Sequence, residues 1–400
     1  MQTAPALVDA PEASAETPRP GGRDSAVDLA RAAALVRVVS YHAVGLPYVM
    51  TWFSAMPLMF FIAGYFMEAS LDREGPVTCI RRRYVRVLLP LFPYAVMILS
   101  VFAAAGLSGG LKPANVVSYF VPLLSFPGPT GPVAMTNPLS WTFMGLWYLQ
   151  NYMLLVLISP VLRWGMRRVP WATVGLVAVF WVVSLQMGII GRFPTYMAAW
   201  VFGMAVFRYR SIAADRRLWA WIFGIAITVG TTVFVLYTGP RPTGVGSRWV
   251  VLSVLLLGLA WIAGLLAFRP WLTVVADRPS VAPVVRWLNA RAVSVYLWHF
   301  AAFGISAYVA RECLGSGWSV AHGALSLALA ATLTFVFATA FGWLEDVAAR
   351  RRPVLIPGLR VGRPRSARRT VPATQAPAGR ADASGRGGRR RGGPGAVGVG

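Results

Sequence analysis

Ten apolar stretches follow one another through this 400-residue chain, and they decide what it can fold into. Each is about 15 to 24 residues long, near the roughly 20 that a helix needs to cross hydrocarbon. Their cores fall at 27–46, 52–69, 84–105, 143–162, 171–189, 194–207, 218–238, 249–267, 292–310 and 322–344. Lipid supplies no hydrogen bonds to the backbone, so such segments span as helices. The sequence therefore predicts an all-α membrane protein, a polytopic bundle of about ten transmembrane helices. Composition agrees. Only 13% of residues are charged, against about 25% in ordinary soluble domains.

The net charge of +24 would suit a nucleic-acid binder if it formed a patch, but it sits in short loops and one tail. Basic residues near helix ends stay in the cytoplasm. With the N-terminus inside, only Lys112, Arg192, Arg241, Arg248 and Arg311 fall outside, and the other 33 of the 38 basic residues lie on the cytoplasmic side. Both termini are thus expected in the cytoplasm. Residues 1–25 and 353–400 are poor in bulky apolar groups and are expected to be disordered. The Gly/Arg-rich tail is expected to rest on anionic lipid, not nucleic acid. Cys79 and Cys313 fall on opposite sides of the bilayer, so no disulfide joins them. The outer loop 106–142, rich in Gly and Pro, reads as a re-entrant segment or a lid.

Polar groups inside apolar spans are expensive and mark function. The first span carries Asp28, Arg31 and His42. At about 100° per residue, the step from Arg31 to His42 is three turns plus about 20°, and Asp28 shares the same face. Arg31 and His42 lie about 16 Å apart along the axis, a cation near the cytoplasm and an imidazole deep in the membrane. That spacing suits a substrate threaded along the helix. A lone buried histidine is as readily an interhelical hydrogen bond, and Asp28 with Arg31 an interfacial ion pair; the shared register argues for more. Arg37 fits the plain reading as an interfacial group.

The third span opens on Arg81-Arg82-Arg83-Tyr84-Val85-Arg86. Arg81 and Arg82 are explained by anchoring. Arg83 and Arg86, at i and i+3, are expected to point two guanidinium forks the same way, as a bidentate clamp on the phosphates of a coenzyme A arm would require.

With these residues the chain resembles the acyltransferase type 3 membrane proteins. The resemblance covers about residues 26–346 and rests on five pieces in order: Arg31-x10-His42 preceded by Asp28; Met56-Pro57-Leu58-Met59-Phe60-Phe61-Ile62-Ala63-Gly64-Tyr65; Arg83-Tyr84-Val85-Arg86 leading to Pro90; Leu146-Trp147-Tyr148-Leu149 leading to Pro160; and Ser294-Val295-Tyr296-Leu297-Trp298-His299. It implies a multi-pass protein of a bacterial plasma membrane that moves an acyl group from acyl-CoA to an acceptor hydroxyl, with no tightly bound cofactor. His42 would be the catalytic histidine, Arg31 its motif partner with Asp28 orienting it, and Arg83 and Arg86 donor ligands. Trp147, Gln150, Asn151, Glu68 and His299 are expected around the substrate.

The match has departures. Where many relatives carry an acid after the Trp-x-Leu segment, this chain has Gln150 and Asn151, which moves any acidic role elsewhere, to Glu68 for instance. No extracytoplasmic hydrolase-like domain follows, which favours direct acylation or a separate partner. A neutral imidazole can take the acceptor's proton or carry the acyl group itself, and the residues leave both routes open. Gly106-Leu107-Ser108-Gly109-Gly110 fits Gly-x-Ser-x-Gly, but that elbow needs a strand before it, so it reads as a turn. His322 reads as interfacial, and three histidines on three helices make no metal site. The alternative from another class is a polytopic transporter or flippase, which buried polar residues would also suit.

Overall fold

The computed structural model describes residues 24–44, 52–104, 113–124, 142, 145–186, 193–238, 248–315 and 319–357, and every element among them is helical. The first expectations met are the apolar stretches. Each coincides with a helix: α1 (Ser25–Val44), α2 (Ala55–Glu74), α3 (Pro76–Ala104), then, after the short α4 (Pro113–Phe120), α5 (Leu146–Arg168), α6 (Pro170–Gln186), α7 (Phe193–Arg208), α8 (Arg216–Thr238) and α9 (Arg248–Ala267). After α10 (Arg269–Ala276) and α11 (Ala282–Ala290) come the last two, α12 (Ala292–Leu314) and α13 (Val320–Phe341), and the chain closes on α14 (Trp343–Ala348). Five of these, in α3, α8, α9, α12 and α13, are long and apolar enough to cross a membrane by themselves.

Exposure makes the same point. Trp171 and Leu176 on α6 and Trp221 and Ile225 on α8 are mostly uncovered by protein. Large apolar side chains in such density need lipid against them.

Two apolar cores hold the bundle together. One gathers Phe60, Phe61 and Met67 of α2, Leu155 and Val156 of α5, Trp200 and Met204 of α7 and Ile262 of α9. The other gathers Leu35 and Val38 of α1, Leu91 and Tyr94 of α3, Leu146 and Met153 of α5 and Val295 to Ala301 of α12. Helix α5 therefore serves both. The tightest crossing is α2 on α7. A Cβ on Gly64 would strike the carbonyl oxygen of Trp200, and one on Gly203 would strike that of Phe61. Small residues let backbones approach where lipid offers no drive between helices.

The connection 268–291 forms α10 and α11, each entered through a proline. Both helices are amphipathic and too short for a membrane-span pattern, which is why the apolar runs do not reveal them. The start of α12 is seated by α14. Glu345 accepts from the amides of Ser294 (2.7 Å) and Val293 (3.3 Å), an N-terminal cap supplied from another helix. Burial pushes its carboxyl above the usual carboxylate range, and the two amides pull it back. Arg291, fully buried, donates to Asp346 at 2.8 Å and to the carbonyl of Val354. Within the segment 106–142, Pro113–Phe120 and Pro122–Leu124 are helical; the rest of it, with the expected turn at 106–110, and the two expected tails lie outside the described residues, save Val121, Thr142, 24–25 and 353–357.

Candidate functional site

The face of α1 that carries Asp28, Arg31 and His42 turns towards α11 and α12. Near the N-terminus of α1, Arg31 is held between Asp28, with Nη2 3.4 Å from Oδ1, and Asn289 of α11, whose Oδ1 accepts from Nε. Asn289 is itself fixed, donating to the carbonyls of Asp28 (2.8 Å) and Val285 (2.9 Å). A guanidinium held on two sides is pre-oriented, and less freedom is lost when it meets an anion. Asn289 lies in a helix that the apolar pattern hides, so nothing in the sequence singled it out.

Three turns further on, the His42 ring stands 5.3 Å from the ring of His299 and 4.7 Å from Phe300, both on α12. Tyr41 meets it edge-on at 4.9 Å. The structure thus brings together two histidines 257 positions apart in the chain. His299 Nδ1 lies 2.6 Å from the carbonyl oxygen of Tyr296. A carbonyl only accepts, so Nδ1 carries the hydrogen there.

From this pair a line of rings leads back through the bundle. His299 lies 5.4 Å from Tyr296, Tyr296 4.8 Å from Tyr148, and Tyr148 6.3 Å from Tyr152. The Tyr152 hydroxyl accepts from Arg83 at 3.2 Å. Tyr296 also donates to the carbonyl of Gly145 at 2.7 Å, and Trp147 stacks on Tyr196 at 5.7 Å. Tyr148 and Tyr296 were inside motifs read for their neighbours Trp147 and His299; aromatic residues one helical turn from a polar one are the signal that finds them.

Three expectations need correction. Arg83 and Arg86 do not point the same way. Arg83 turns inward to Tyr152, the Phe66 carbonyl (2.9 Å) and Ser70 (3.1 Å), whereas Arg86 is exposed. A step of i+3 leaves about 60° between side chains, enough to put one in the bundle and one outside it. Glu68 does not stand with the residues around Trp147. It is buried between Arg163 (3.4 Å) and Arg208 (3.9 Å), beside Asp72, which pairs with Arg163 and Arg167. Gln150 and Asn151 are engaged by backbone, Gln150 donating to Leu123 O at 3.4 Å and Asn151 to Trp147 O at 2.5 Å, and neither contacts the histidine pair among the described residues. Arg37, by contrast, sits mid-helix over the Tyr41 ring at 5.1 Å, nearer His42 than its interfacial reading allowed. Among the described residues, no three His, Cys, Asp or Glu side chains gather to hold a metal ion.

An imidazole pair, half-buried His42 and buried His299, at one end of a helix face and an oriented guanidinium at the other suit group transfer between an anionic donor and an acceptor. The family comparison agrees: the acyltransferase domain of the type 3 family matches residues 24–344. The chain belongs to that family. No curated protein and no solved structure matches it. As a family member with long apolar helices it is a multi-pass membrane acyltransferase, and the matched span contains the described α1 to α13 and the whole site above.

Proposed function

We propose that this acyltransferase moves an acyl group from acyl-CoA to a hydroxyl on a sugar, lipid, wall polymer or secondary metabolite, using His42 as general base or acyl carrier. The observation that carries this reading is the pairing of the His42 and His299 rings at 5.3 Å on the face that also holds Arg31. The acceptor oxygen forms the new C–O bond, the thioester C–S bond breaks, and the proton passes from hydroxyl through imidazole to the departing thiolate. Proton transfer of this kind contributes about 10² to 10⁴ in rate. Arg31, fixed by Asp28 and Asn289, binds donor phosphate as it enters from the cytoplasm; the exposed Arg86 meets it first. An open groove of about 590 Å³ beside Trp52, Thr228 and Thr231 has no ionisable side chain in its lining and does not compete as the site. Purified protein given acetyl-CoA and a hydroxyl acceptor should release free CoA with matching ester. Uptake of a solute without CoA release would instead support the transporter.

In this reading all ten apolar helices cross the plasma membrane of a bacterium, with residues 26–346 as the catalytic domain, both ends in the cytoplasm and the basic tail on anionic lipid. The 33 to 5 distribution of basic residues supports that orientation. A reporter fused after Arg352 should read as cytoplasmic and one inserted beside Lys112 as external. Both on one side would exclude the ten-helix arrangement.

The separated arginines make a further prediction. Arg86→Ala should raise the acyl-CoA KM several-fold with little change in melting temperature, because the side chain is exposed and gives the protein only a weak field at Glu345. Arg83→Ala should lower thermal stability as well, since bonds to Phe66, Ser70 and Tyr152 go with it. Kinetics in both substrates with detergent melting curves check this. A rise confined to the acceptor KM would remove Arg86 from the donor path.

A further inference from the structure

His299 is 1% exposed, and its ring does more than fill space. With the hydrogen on Nδ1 bonded to the Tyr296 carbonyl, a neutral ring leaves Nε2 as a bare lone pair, and this buried Nε2 has no hydrogen-bond partner among the described residues. A buried acceptor kept without a donor calls for a visiting group to explain it. Phe300 touches both rings, 4.7 Å from His42 and 4.0 Å from His299, and holds them in register. The two rings are neighbours, with centroids 5.3 Å apart and planes tilted by 42°, so a turn of the His42 ring brings one of its nitrogens to Nε2.

We propose that His299 is the second base of the site, receiving at Nε2 the proton that His42 gives up as the acceptor attacks. This rests on the acyltransferase reading. The acceptor oxygen bonds to the thioester carbon, and the C–S electrons leave on sulfur. The hydroxyl proton goes to one nitrogen of His42 while the hydrogen on its other nitrogen moves to His299 Nε2. His299 is then an imidazolium whose Nδ1–H keeps its charge-assisted bond to the Tyr296 carbonyl. The proton returns by the same route to the thiolate, CoA leaves as the thiol, and both rings end neutral. The carbonyl on the far side of His299 shares the charge it takes up, a bond that His42 lacks among the described residues.

The other groups beside the pair are Tyr41 and Arg37 on α1 and Tyr296 on α12, and behind Tyr296 stand Tyr94 on α3, Tyr148 on α5 and Tyr196 on α7. Phenols and guanidinium keep their protons across the neutral range, which leaves the two imidazoles as the groups that titrate.

The test is single-turnover transfer from labelled acetyl-CoA to octyl glucoside, a probe with sugar hydroxyls on an apolar tail, measured on the full chain from about pH 4 to 8. His299→Gln keeps a hydrogen-bonding atom near Nε2 but cannot hold the proton. It should lower transfer at least about tenfold, leave acetyl-CoA binding and melting temperature unchanged, and remove one limb of the pH–rate profile. Wild-type rates, or a slower rate under an unchanged profile, overturn the proposal. No transfer by the unmutated protein overturns the acyltransferase reading itself and this inference with it. Should His299→Gln not fold, ¹⁵N-histidine spectra of the unmutated chain decide: His299 should show a bare Nε2 and titrate together with His42, and a ring that keeps one protonation state throughout overturns it.

Discussion

His42→Ala is expected to abolish acyl transfer and to leave an inserted, folded protein. Helix α1 is seated by Ala32, Ala34, Leu35 and Val38, all buried, and by the Asp28–Arg31–Asn289 contact at its start. Among the described residues, the His42 ring adds only ring contacts with Tyr41, His299 and Phe300. Such contacts are worth about 0.5 to 1.5 kcal/mol, and even a full interhelical hydrogen bond averages about 0.6 kcal/mol in a membrane. Removing an imidazole also makes the helix easier to insert. Catalysis has no such reserve. If His42 is the group that meets the acceptor hydroxyl, its loss should lower single-turnover transfer by at least about 10², while His322→Ala, at the first turn of α13 where Ser319 caps its amide, should change it little. Near-wild-type transfer by His42→Ala would return this ring to a packing role. Loss of activity with loss of the folded protein would do the same.

The sequence and the structure agree where one property sufficed to make an element. Each apolar run of membrane length became a helix, because hydrocarbon leaves the backbone no other partner. On α1 the 3.6-residue repeat alone put Asp28, Arg31 and His42 on one side, since a helix carries its phase over three turns. What the repeat could not say is which helix lies opposite. That depends on contacts between distant positions: Asn289 closes on Arg31 from 258 residues away, and His299 on His42 from 257. Arg83 and Arg86 failed for a related reason. Their spacing was legible, but the inward pull of Tyr152, Ser70 and the Phe66 carbonyl on one of them was not. Glu68 looked like a spare acid only because Arg163 and Arg208 are far from it in sequence.

The α2–α7 crossing gives the largest expected effect on the fold. Gly64→Leu or Gly203→Leu should leave little folded protein, because each new side chain meets the opposite backbone and not a side chain that can turn away. Overpacking in a core costs about 1 to 3 kcal/mol when neighbours can rearrange. Here relief requires the two helices to part. Phe60 and Trp200, which sit at this crossing, pack against Tyr148 and Tyr152 at 5.2 and 5.9 Å, so parting the helices also loosens the ring line that leads to His42. Even Gly64→Ala should therefore lower both melting temperature and transfer. Gly175→Ala is the matched control. A Cβ there meets nothing within 4 Å, and alanine is the better helix former by about 1 kcal/mol, so stability should hold or rise. Melting curves and fluorescence-detected size exclusion of the variants in one detergent make the comparison. If Gly64→Ala melted with Gly175→Ala at the wild-type temperature, α2 and α7 would have room to spare, and close backbone contact would not be what holds this part of the site in place.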